Sequence, residues 1–233
     1  MANHIPHVTI LFTRNEDFAA TPEQPLTTEG AERATKRGHA LREQGYEIDA
    51  VVSSPAPQAI ATAQAMLNGY GQSMDVNTDA RLGDFESDPR ATELVNVLKN
   101  RAIEKFGDAN DMSLAKILPE VPEIHPLLAA RAKEGADALT EIVHADVDLR
   151  ARWHSNHERP LKTILVVSHG IARMEATVTQ LWRNWGYEQD DIPQIWEIDS
   201  PLEKGRVYEL SFGQHDWGKP FGLVLGERDV LGF

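Results

Sequence analysis

The sequence predicts an α/β fold, a mostly parallel central sheet with helices on both faces. Two apolar runs carry most of this. Val8 to Phe12 and Thr163 to Val167 each end in polar residues, at Arg14-Asn15 and at Ser168-His169-Gly170, and each is followed by helical periodicity. Between them strand-like and helix-like segments alternate, as they do where parallel strands are joined by crossover helices. With 233 residues, 41% hydrophobic and 25% charged, the chain can bury a sizeable core, and we take residues 1–233 as one domain.

In chain order, the first strand runs into the segment Leu11 to Asp17. Thr27 or Thr28 then caps a helix that places Ala31, Ala34, Gly38 and Leu41 at helical spacing and stops at Gly45. Asp49 to Val52 is a short buried strand ending on Ser53-Ser54. A helix with Ala59, Ala63 and Met66 facing inward follows and closes at Asn68-Gly69. Met74 to Asn77 is the third strand, and it leads into Arg81 to Glu86.

From about residue 88 to 160 the pattern is helical. Leu94, Val95, Leu98 and Ala102 mark one amphipathic helix, and Leu127, Leu128, Ala132, Ala136, Leu139 and Val143 mark a longer one. Pro119, Pro122 and Pro126 break regular structure between them. Beyond the second apolar run, Ile171 to Trp185 is helical, and Arg206 to Phe212 alternates like a half-exposed edge strand. Phe221 to Phe233 is apolar enough to dock on the domain or on another copy. Trp182, Trp185, Trp196 and Trp217 are read as core or subunit contacts.

A formal net charge of -13 disfavours nucleic acid and anionic membranes as partners. The chain has no cysteine, hence no disulfides or thiol chemistry, which fits the cytoplasm. Met1 to His7 lacks a signal-peptide core, and no apolar run approaches the roughly 18 residues of a membrane span. His154 and His157 stand three apart, but without a nearby carboxylate or cysteine pattern they read as a solvated loop, and no metal or other cofactor is expected.

Ligands bind outside the carboxyl ends of the strands in open α/β sheets. If the two apolar strands are neighbours, Arg14, Asn15 and His169 meet at one edge. A strand-end arginine there favours anion binding over a purely structural role. Asn15 reads equally as a helix cap or a ligand donor.

The motifs resemble those of the histidine phosphatase superfamily, the phosphoglycerate-mutase-like proteins. Ser168-His169-Gly170 matches the end of the family's late strand, Pro25-Leu26-Thr27-Thr28-Glu29-Gly30 its turn into the first helix, and Ser53 to Ala63 its Ser-Ser-Pro segment. The resemblance implies a three-layer αβα sandwich in which residues 88–160 form a helical cap that sets substrate choice. It implies a general acid at Asp84, with Glu86 in reserve, although both also read as ordinary loop carboxylates.

Where the family has its nucleophilic histidine this chain has Asn15, where it has the following glycine there is Glu16, and where it has a second arginine there is Gln58. A carboxamide nitrogen is not basic and cannot take a phosphoryl group as imidazole does. Glu16 sets a negative charge beside a pocket meant for a dianion, and Gln58 replaces a charged, bidentate clamp with a neutral amide.

The expectation is a catalytically impaired protein that uses Arg14, Asn15, Glu16, Gln58 and His169 to bind a phosphorylated or other polar ligand, or that engages a protein partner. The alternative is an active phosphomonoester hydrolase or mutase with a substitute nucleophile, either His169 or a water activated by Glu16. It would use Arg14 and Asp84, with Arg173 as replacement cation or, more simply, as a surface ion pair.

Overall fold

The apolar run that opens the chain becomes the middle of the sheet. In the computed structural model, which describes residues 8–17, 25–84, 89–109, 114, 116–151, 162–170, 173–184, 207–213 and 222–226, β1 (Val8–Arg14) is buried at every position. A strand covered on both faces needs apolar side chains on both, so it reads as an unbroken run. It pairs in parallel with β4 (Lys162–Ser168), with Arg14 opposite Ser168. β2 (Ile48–Ser53) pairs in parallel with β4 on its other side, and β3 (Val76–Thr78) lies beyond it. β5 (Val207–Gly213) and β6 (Gly222–Gly226) complete the order β3-β2-β4-β1-β5-β6, both antiparallel to their neighbours.

Successive β1 side chains point to opposite faces and feed two cores. On one face Leu11, Val51, Leu165 and Val167 pack with Ala34 and Leu41 of α1 (Thr28–Glu43) and Ala59, Ala63 and Met66 of α2 (Pro57–Tyr70). On the other, Ile10, Phe12, Ile164 and Val166 pack with Ala136, Leu139 and Val143, then Met174 and Leu181. These come from the helices His125–Ala151 and Arg173–Asn184. The sheet thus lies between helical layers, as expected.

A third cluster joins Leu98 and Ala102 of α3 (Pro89–Phe106) to Ile117, Leu118, Ile124 and Leu128. Apart from Ala176, its residues, Ala91 to Ala132, lie within the region expected to be helical between residues 88 and 160. The helices His125–Ala151 and Arg173–Asn184 are hereafter α4 and α5. The prolines between α3 and α4 form two 3-10 turns, Leu118–Glu120 and Pro122–Ile124. Pro126 falls in the first turn of α4, where its missing N–H costs nothing.

Two boundaries and the place of one strand differ from the sequence expectation. α2 runs through Gly69 to Tyr70 and is capped by Gly71, at φ 84°. Gly69 is instead a contact glycine: a Cβ there would lie 1.9 Å from the Thr35 carbonyl oxygen, and one at Gly38 would lie 1.9 Å from that of Met66. α1 and α2 therefore cross backbone to backbone at this pair. β3 begins at Val76, two residues later than expected. The strand expected at an edge, β5, is interior, because part of the apolar tail, Gly222–Gly226, pairs along it. No helix among the described residues is long and apolar enough to cross a membrane. Trp153, His154, His157, Trp185, Trp196 and Trp217 lie outside the described residues.

Candidate anion site at the ends of β1 and β4

The carboxyl ends of β1, β2 and β4 converge through backbone hydrogen bonds that continue past the strands. The Asn15 N–H donates to the Ser168 carbonyl at 2.8 Å, and the Ser54 N–H donates to that of Val167 at 2.9 Å. Arg14, Asn15, Ser54 and His169 are thereby drawn to one edge of the sheet, all four buried.

Arg14, 6% exposed, lies against Gly170. A Cβ at Gly170 would sit 2.5 Å from the guanidinium carbon and 2.7 and 2.9 Å from its terminal nitrogens. The glycine of Ser-His-Gly is thus what lets the arginine lie down over the β4 turn.

His169, 2% exposed, has Nε2 at 2.7 Å from Ser54 Oγ and Nδ1 at 3.8 Å from Asp84 Oδ2. Ser54 Oγ also accepts from the Ala56 N–H at 3.2 Å. Asp84 is carried there by the 3-10 turn Ala80–Leu82, which the Ser168 hydroxyl ties to β4 by donating to the Leu82 carbonyl at 2.9 Å. Asp79 braces the same turn, accepting from the backbone and side chain of Arg81, and these bonds hold its carboxyl below the usual range. Of the two candidate acids, Asp84 is beside His169; Glu86 lies outside the described residues.

Asn15 does not cap α1. Thr27 does, its Oγ1 accepting from the Gly30 N–H at 3.0 Å. The Asn15 amide instead donates to the Glu16 carbonyl at 3.0 Å. Gln58 is part-buried in the first turn of α2, and its carbonyl accepts from the Thr62 hydroxyl. Arg173 opens α5, and its side chain is outside the described part.

Glu16 is the site residue whose surroundings the sequence hid. Its side chain is fully buried and forms ion pairs with Arg37 and, at 2.9 Å, with Arg33. Arg33 reaches on to Asp17, and Arg37, only 3% exposed, donates to Thr13 Oγ1 at 3.3 Å. Burial and, after it, the charge of Arg14 lower the pKa of Arg37 to about 10. Two carboxylates thus face two guanidiniums between β1 and α1.

Among the described residues no group of three or more His, Asp or Glu side chains is placed to hold a metal. A surface groove of about 710 Å3 lies along α1 and α2, and none of the strand-end residues above lines it.

Residues 11–184 match the family model described as histidine phosphatase superfamily (branch 1). The chain belongs to this superfamily. Solved structures with the same fold include the ecdysone phosphate phosphatase of Bombix mori in complex with tungstate, at 17% identity and TM-score 0.54, covering 93% of this chain and 92% of that one. A mycobacterial glucosyl-3-phosphoglycerate phosphatase complexed with VO3 is similar at 16% identity and TM-score 0.51, over 95% and 97% of the two chains. A putative alpha-ribazole-5'-P phosphatase of Escherichia coli also has 16% identity and TM-score 0.51, over 97% and 100%. No curated protein sequence matches the chain.

Two features of this histidine-phosphatase fold escaped sequence reasoning. Arg37 falls on the buried face marked by Ala34, Gly38 and Leu41, and an arginine there calls for a buried carboxylate. That was a usable signal. Ser54 as the partner of His169 had none beyond its place at a strand end.

Proposed function

We propose that the chain is a histidine-phosphatase-like protein that binds a phosphorylated or other anionic ligand at the ends of β1 and β4 without the family's phosphoryl transfer to histidine. The observation that carries this is the Arg14 guanidinium laid over Gly170 beside His169, with an asparagine as the next residue. Guanidinium and imidazole N–H groups hold oxyanions by charge-assisted hydrogen bonds. The lone pair of the Asn15 amide nitrogen is delocalised into the carbonyl, so it cannot attack phosphorus as an imidazole nitrogen does. Vanadate and tungstate in two similar structures are oxyanions of the kind such a seat would take. Calorimetric titration with inorganic phosphate tests this: the native chain binds, Arg14→Ala weakens binding at least tenfold, and equal affinity of the two refutes the assignment.

A residual hydrolase is the alternative, and one observation favours it. Ser54, His169 and Asp84 form a hydroxyl–imidazole–carboxylate row, in which the serine hydroxyl can give its proton to Nε2. Against it, the Ser54 side chain is fully buried and its contact with His169 serves equally to orient the ring. Glu16 is no candidate base here, because its carboxylate is taken up by Arg33 and Arg37. Turnover lost in Ser54→Ala and retained in Asn15→Ala would favour the serine.

A further inference from the structure

The ion-pair cluster behind β1 bears on which anion the site prefers. Glu16 immediately follows Arg14 and Asn15, and its carboxylate is held by Arg37, which also bonds Thr13, the residue before Arg14. The cluster is therefore built into the backbone turn that carries the site's arginine. A guanidinium buried this deeply needs a countercharge, since an unpaired buried charge costs several kcal/mol. Glu16 and Asp17 supply two negative charges against the two positive charges of Arg33 and Arg37. Among the described residues these four charges cancel, so the ion pairs of Glu16 and Asp17 with Arg33 and Arg37 add no net positive charge beside the pocket. On the other side of His169 stands the carboxylate of Asp84. A phosphomonoester dianion brings two negative charges to such a site, and a sulfate ester or phosphodiester brings one.

We infer that the internal charge balance of the buried Glu16–Arg37 pair, rather than the charge of either residue alone, sets the charge selectivity of the site, so that it prefers singly charged anions to phosphomonoester dianions. This rests on the anion-binding role proposed for Arg14 and specifies its ligand class. The charge of Arg14 is felt at Arg37, and electrostatic coupling is reciprocal, so a change in the balance at Glu16 or Arg37 is felt where Arg14 binds its ligand. Neutralising the carboxylate leaves Arg37 as an added positive charge near the seat. Neutralising the arginine leaves an added negative one.

The test is calorimetric titration of the full chain with phenyl phosphate, a dianion at about pH 8, and with phenyl sulfate, a monoanion of the same shape. The native chain binds the sulfate at least as tightly as the phosphate. Glu16→Gln shifts the affinity ratio toward phosphate by about tenfold, and Arg37→Met shifts it the opposite way. A ratio that stays the same in both variants, or moves in the same direction in both, overturns the inference and leaves the pair a structural one.

Because either single variant can fail to fold, Glu16→Gln/Arg37→Met is measured as well. Losing both charges together, it must keep the native ratio, and a changed ratio overturns the inference. Arg14→Ala separates the two levels: unchanged affinity for both ligands refutes the anion site itself. If the native chain binds neither ligand, the native anion-binding role falls and the inference that rests on it falls with it, even where Glu16→Gln binds phenyl phosphate through Arg14. If no variant binds either ligand, both fall.

Discussion

Replacing Gly170 by alanine moves the site's arginine without removing it. The new methyl carbon would stand 2.5 Å from the Arg14 guanidinium carbon and 2.7 and 2.9 Å from its terminal nitrogens. Carbon atoms in contact settle at about 3.5–4.0 Å, so the guanidinium has to withdraw by about 1 Å. A charge-assisted hydrogen bond of about 2.8 Å stretched by that amount is no longer a hydrogen bond. Losing it costs about 1.5–3 kcal/mol of binding, or about 10- to 150-fold in affinity.

Stability is expected to change little, by about 1 kcal/mol or less. The group that must give is the end of a flexible side chain, and Gly170 is not among the positive-φ glycines. Phosphate titration paired with urea unfolding separates the two effects. Weakened binding at nearly native stability is the expected result. Native affinity in Gly170→Ala, with Arg14→Ala still impaired, would show that Arg14 does not act from its position over the turn.

Other substitutions give complementary outcomes. Gly38→Ala sets a methyl 1.9 Å from the Met66 carbonyl oxygen and 2.7 Å from the Tyr70 nitrogen, where backbone must move. Urea unfolding should show a loss of about 1–3 kcal/mol or more, with unchanged phosphate affinity in the folded protein. Asp79→Asn removes the brace on the turn that carries Asp84. The Asp79 pKa is lowered in the folded state, so its contribution is present above the unfolded value of about 4 and is lost as pH falls through the folded value. The variant should lose about 0.5–1 kcal/mol at neutral pH, reduced by the exposure of the pair, and match the native chain in strong acid. Ser168→Ala frees the Leu82 carbonyl from β4, and should cost about 1 kcal/mol of stability by thermal unfolding and broaden the His169 ring signals in NMR.

Much of this architecture could be read from hydrophobic pattern alone, because parallel strands buried on two faces leave no choice but continuous apolar runs. Val8 to Phe12 and Thr163 to Val167 announce their places and, through their polar ends, bring Arg14 and His169 together. What pattern could not show depends on contacts distant in sequence. Gly69 looks like a helix stop and is a crossing point, since only the position of Thr35 on another helix makes its missing side chain necessary. Arg206 to Phe212 alternates as an edge strand does, yet β5 is interior, because the β6 pairing that covers it uses backbone groups. Glu16 looked like a charge beside the ligand. Its partners, Arg33 and Arg37, lie about one helix away in sequence and turn the carboxylate toward α1.

A site that holds an anion but has no nucleophile for it should leave aryl phosphates intact, and hydrolysis of an aryl phosphate from about pH 4 to about pH 9 measures this. The native chain is compared with Asn15→His/Gln58→Arg, leaving Glu16 in place so that Arg37 keeps its countercharge. Turnover by the double variant alone is the predicted result, showing that the acid and the seat are present and that Asn15 and Gln58 withhold the chemistry. Turnover by the native chain, abolished in His169→Ala, would contradict it.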